Sequence, residues 1–131
     1  MSRSRYLLRK GNREAAMPSS TYKLFAKAMA GRKQILCIYD GYSRELCPIV
    51  LGHTGGQEVA LVFQFAGKSS SGLPPQGEWK CFHLSKASSV QLRDGQWHAG
   101  ASHRRPQSCV EVVDLDVNPS SPYRPRRKLG D

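Results

Sequence analysis

Glu58-Val-Ala-Leu-Val-Phe-Gln-Phe65 decides the fold class. Val59, Leu61, Phe63 and Phe65 fall on one face of an extended chain and Ala60, Val62 and Gln64 on the other. A period of two carried by β-branched and aromatic side chains reads as a strand, with Gln64 its polar exception. Upstream, His53-Thr-Gly-Gly56 is a turn, and Glu45 to Leu51 is a second strand in which Pro48, unable to donate to a ladder, marks an edge position or a bulge. Before it, Asp40-Gly41 is a hairpin signal, and Gln34 to Tyr39 alternates again, with Ile35, Cys37 and Tyr39 opposed to Leu36 and Ile38. Ser19-Ser20-Thr21 offers N-cap hydroxyls to a segment in which Tyr22, Phe25, Ala26 and Met29 recur at helical spacing. The spacing predicts a short helix over 20–30 that stops at Gly31 and packs through Tyr22, Phe25 and Met29, with Lys27, Arg32 and Lys33 near the negative end of its dipole.

Downstream, Ala66 to Glu78 contains Ser69-Ser-Ser-Gly-Leu-Pro-Pro75, an exposed loop long enough to be a functional candidate. Trp79 to Leu84 and Ser88 to Leu92 resume as strands, and residues 96–108 are polar and irregular. Glu111, Val113, Leu115 and Val117 against Val112, Asp114 and Asp116 form a last, half-polar strand ending at Asn118-Pro119. The expected fold is mainly β: a small antiparallel barrel or roll with one short N-terminal helix. Its core should include Leu36, Ile38, Leu61, Phe63 and Phe82. The segments differ in length and turn chemistry, so no internal repeat is present.

The 131 residues suit one domain, and an apolar content of 39% makes its core small. Apolar runs such as Val59 to Phe63 fall far short of the roughly 20 residues that span a bilayer, and no leader-like segment follows Met1. A soluble, cytoplasmic chain without membrane association is expected. Its organisation reads as a flexible basic arm (1–18), a single helix-plus-barrel domain (19–117) and a flexible basic tail (118–131). The net charge of +10 lies outside residues 33–117: residues 1–32 carry +7, residues 33–117 balance to zero, and residues 118–131 carry +3. Arg3, Arg5, Arg9, Lys10 and Arg13 in the arm, with Arg124, Arg126, Arg127 and Lys128 in the tail, are candidates for nonspecific phosphate contacts. Solubilising tails are the other reading of such blocks.

Cys37, Cys47, Cys81 and Cys109 contain no C-x₂₋₄-C pair, so no metal site and no cofactor is expected and the four read as structural thiols. Asp114 and Asp116 read as a solvated face. No G-x-S-x-G, Cys-His or phosphate-loop signature appears, and nothing argues for an enzyme.

The order Gln34-Ile-Leu-Cys-Ile-Tyr39, Arg44-Glu-Leu-Cys-Pro48, Val50-Leu51, a Gly-rich turn, Val59-Ala-Leu-Val62, a loop, Trp79-Lys-Cys-Phe-His-Leu84 and Val90-Gln-Leu92 resembles the WYL domain. The resemblance covers about 60 residues and implies an SH3-like or Sm-like barrel, of the kind that in bacterial regulators and phage-defence proteins senses nucleic-acid or nucleotide ligands through a basic-aromatic surface. Ala60-Leu61-Val62 stands where the family has its name-giving tripeptide, and Lys80 and His83 stand where it has arginines. Thirty-two upstream residues with one short helix do not accommodate a winged helix-turn-helix, so a stand-alone or degenerate member is implied. Tyr39, Arg44, Gln64, Lys80 and His83 are then the expected binding residues for nucleic acid or a nucleotide, in a non-enzymatic regulatory module. The alternative is a protein-interaction or assembly module that recruits its partner through an edge strand and the Ser/Pro-rich loop.

Overall fold

A computed structural model describes residues 17–98 and 107–118. The chain runs α1 (Ser20–Gly31), β1 (Gln34–Tyr39), β2 (Tyr42–Thr54), β3 (Gln57–Gly67), β4 (Glu78–His83), a 3-10 turn (Leu84–Lys86), β5 (Ala87–Arg93) and β6 (Val112–Asp116). It is the mainly β class expected, one N-terminal helix on a small antiparallel sheet. The basic arm and tail fall almost wholly outside the described residues.

Turn chemistry sets the register. Asp40 and Gly41 (φ 52° and 82°) join β1 to β2, and Gly55 and Gly56 (φ 59° and 80°) join β2 to β3. Two-residue turns of this hand match the twist of the strands, which places Tyr39 opposite Tyr42 and Thr54 opposite Gln57.

The long β2 is the spine of the sheet. It pairs with β3 along one side, and with β1 and then β6 along the other. Pro48 sits between Leu46, the last residue paired with β1, and Val50, the first paired with β6, at a bulge against β3. Of the two roles open to it, the bulge is realised, in a central strand. A Cβ at Gly52 would lie 1.9 Å from the Val112 carbonyl oxygen, so only glycine lets β6 approach here.

The strand order is β4-β3-β2-β1-β5, with β6 beside β2. Two strands separate β1 from β4, which in a flat sheet would hold them about 14 Å apart. Instead the Tyr39 and Phe82 rings stack with centroids 4.0 Å apart, and the Tyr39 hydroxyl accepts a hydrogen bond from the His83 N–H at 3.0 Å. The sheet is therefore tightly curled. Among the described residues no ladder joins β4 to β5, so the closed barrel that the WYL resemblance implies is not formed; the 3-10 turn and the Tyr39 contacts bridge the gap.

Tyr22, Phe25, Ala28 and Met29 of α1 are buried against the concave face, in one cluster with Ile35, Leu46, Leu51 and Phe82. Ser19 caps the helix by accepting from the Tyr22 N–H. The helix stops at Gly31 as expected, although the left-handed residue that closes it is Arg32 (φ 53°), whose side chain also donates to the Met29 carbonyl. A second cluster, with Cys47, Ile49, Val59, Leu61 and Phe63, fills the other face under Val110 and Val113.

Three expectations are corrected. Leu36 is only half-buried and Ile38 is exposed, because Ile35, Cys37 and Tyr39 are the β1 residues that face the concave side; Leu61, Phe63 and Phe82 are buried as expected. Cys81 and Cys109 are joined in a disulfide with Cα atoms 5.6 Å apart, because the segment before β6 crosses the convex face beside β4. Cys37 and Cys47 remain free, buried thiols. Asp114 and Asp116 are buried, not solvated. Among the described residues no helix is long and apolar enough to cross a membrane.

Candidate functional site

Arg44 lies near the start of β2, opposite Cys37 of β1 and Gly67 of β3. Gly67 has φ 95°, and a Cβ on it would meet the Ser43 carbonyl oxygen at 2.5 Å and Arg44 Cα at 2.8 Å. The missing side chain lets the end of β3 close over Arg44. The arginine is only 5% exposed. Its Nη1 donates to Gln64 Oε1 and its Nη2 to the Tyr39 carbonyl, both at 3.1 Å, while the buried Nε has no partner. Three rings surround the guanidinium, with centroids at 5.3 Å (Tyr39) and 5.7 Å (Tyr42 and Phe82) from its central carbon. No carboxylate among the described residues forms an ion pair with it. An isolated cation withdrawn from water is costly, and here it is offset by two neutral acceptors and aromatic faces alone.

Gln64 explains itself in this setting. It is fully buried; its oxygen holds Arg44, and its Nε2 donates to the Ala66 and Lys68 carbonyls. The Lys68 N–H in turn donates to the Ser43 carbonyl at 2.8 Å, fixing the start of the Ser/Pro loop to this corner. Ser69, the next residue, has the other buried side-chain polar atom that lacks a hydrogen-bond partner among the described residues. Cys37, facing Arg44 across the ladder, has its thiol pushed up to about 11 by burial, with the Arg44 charge pulling the other way.

Tyr39, Arg44 and Gln64 thus form one buried cluster. His83 joins it through its backbone, its side chain being exposed, and Lys80 stands half-buried two residues before Phe82, its Nζ 3.4 Å from Glu78 Oε1. Sequence reading missed Tyr42 as the outermost ring and Ser69 as an orphan hydroxyl. The only signal for the former was its place beside the Asp40-Gly41 turn. Arg3, Arg5, Arg9, Lys10, Arg13, Arg124, Arg126, Arg127 and Lys128 lie outside the described residues.

A second polar cluster ties α1 to the sheet. The Tyr22 hydroxyl donates to Asp114 Oδ2 at 2.5 Å, His53 Nδ1 lies 3.1 Å from the same oxygen, and the Tyr22 and His53 rings stack. These contacts are why Asp114 is inside. Among the described residues no group of three or more His, Cys, Asp or Glu side chains is placed to hold a metal.

The chain matches no protein-family model, no curated protein and no solved structure. The WYL resemblance therefore rests on the residue pattern alone. Chemically, the Arg44 corner offers a fixed positive charge, a guanidinium Nε–H without a partner among the described residues and stackable rings.

Proposed function

We propose that this chain is a non-enzymatic module that binds a nucleotide or a nucleic-acid segment at the Arg44 corner. The observation that carries the reading is the buried guanidinium with no carboxylate partner among the described residues, a free Nε–H and three aromatic rings around it. Buried cations are normally paired. A phosphate oxygen supplies the absent countercharge, and a base stacks on the outermost ring, Tyr42, which is 37% exposed. Access to Arg44 requires Tyr42 or the Lys68–Gly77 loop to swing aside; Lys80 shares the β4 face of Phe82, whereas the His83 side chain alternates to the opposite face. The basic arm and tail add phosphate affinity without selectivity.

Calorimetric titration with a nucleoside and its 5′-phosphates tests this. The expected result is binding that requires the phosphate, is weakened by Tyr42→Ala and is lost in Arg44→Gln. Equal binding of nucleoside and nucleotide, or full affinity in Arg44→Gln, contradicts it.

The second reading is protein assembly. It draws on the outer edges of β4 and β5, which pair with no strand among the described residues, and on the exposed tip of the Ser/Pro loop. A partner held by strand addition stays bound as salt rises, whereas a phosphate ligand is released.

A further inference from the structure

We infer that the solvent face of α1 is a ridge for the backbone of double-stranded nucleic acid, separate from the Arg44 corner; the inference rests on the nucleic-acid reading above. Opposite its buried face, α1 exposes Ser20, Lys23, Lys27 and Ala30 in a single stripe. Lys23 and Lys27 are one turn apart, with like charges at a spacing that destabilises a helix. The first turn of α1 contains no acidic residue, and Lys23 sits toward the positive end of the helix dipole. Neither lysine has an ion pair among the described residues. Nearby carboxylates are engaged elsewhere: Glu58 accepts from Ser19 and Asp94 pairs with Lys33. A positive stripe that opposes both helix rules and has no ion-pair partner among the described residues is open to an external anion.

The ends of the helix point to a long one. The N-terminal arm joins the domain at Ser19, the N-cap. At the other end Arg32, exposed, donates to the Val117 carbonyl, immediately before the C-terminal tail begins. The two basic segments therefore join the described residues toward opposite ends of α1, a helix of 12 residues about 18 Å long. That arrangement follows an extended line of phosphates. The stripe contains no aromatic side chain on which single-stranded bases could stack and no large apolar side chain to enter a bilayer. Its chemistry suits the outside of a stiff duplex, one charge every ~1.7 Å.

The test uses the full chain, a fluorescent 20-base-pair duplex and a salt series, with Lys23→Gln/Lys27→Gln as the variant. Both lysines are exposed, so the variant keeps the wild-type unfolding midpoint. The expected result is a slope of log affinity against log salt that falls by about two, with nucleotide binding at Arg44 unchanged. An unchanged slope overturns the ridge, as does a wild-type chain that binds nucleotide but no duplex, or one that binds phosphatidylserine vesicles as tightly as DNA. Loss of nucleotide binding in the wild type is the separate failure of the Arg44 reading.

Discussion

Tyr39 of β1 and Phe82 of β4 stack at 4.0 Å although two strands lie between them in the sheet. This contact holds the curl, and the curl is what brings Phe82 and the His83 backbone to the Arg44 corner. Phe82 is 1% exposed, so Phe82→Ala should cost about 3–5 kcal/mol in urea unfolding. Tyr39→Phe keeps the ring and removes only the bond from His83, and should cost about 1 kcal/mol.

The disulfide closes a segment 28 residues apart in sequence. Chain-entropy reasoning gives it about 3–4 kcal/mol of stability. Unfolding with and without a reductant should differ by that amount. Under native, non-reducing conditions a thiol reagent should find Cys37 and Cys47 unreactive, and denaturant should expose both.

Gly52→Ala should dislodge β6, since the new methyl meets the Val112 backbone 1.9 Å away and a carbonyl on a paired strand has little room to yield. Hydrogen exchange is the appropriate readout: amides of Val113 to Asp116 should lose protection while those of β3 keep theirs.

Burial raises the Cys37 thiol to about 11, above the value of an unfolded chain. The folded state then holds this proton more tightly than the unfolded state, so the contribution is complete below pH ~8.5 and is lost as pH rises through 11. Urea midpoints measured from pH 8 to 11 should fall, and Cys37→Ala should flatten that decline.

The helix and all six strands were legible because each carries its own period, and Asp-Gly and Gly-Gly fixed two turns. The inward face of β1 was not: Ile35, Cys37 and Tyr39 are no more apolar than Leu36 and Ile38, and the helix that selects between them lies elsewhere in the chain. Asp114 reads as solvent-facing until Tyr22 reaches it from 92 residues away. Cys81 and Cys109 have a separation that signals nothing until the segment before β6 crosses β4. Arg44 was legible as a site residue only through its place in the WYL-like pattern. Flanked by Ser43 and Glu45, it gave no sign that it would be buried.

Selectivity at the Arg44 corner is tested by comparing affinities for a panel of nucleotides and short oligonucleotides between the wild-type chain and a variant with Arg44, Lys80 and His83 all changed to Gln. Cooperative unfolding of the variant is the check that it folds. The variant is expected to lose discrimination among ligands yet keep most of its salt slope, which the arm, the tail and α1 supply. A folded variant that still discriminates like the wild type would rule out ligand selection at the Arg44 corner, and would make assembly through the open sheet edges the better explanation of this domain.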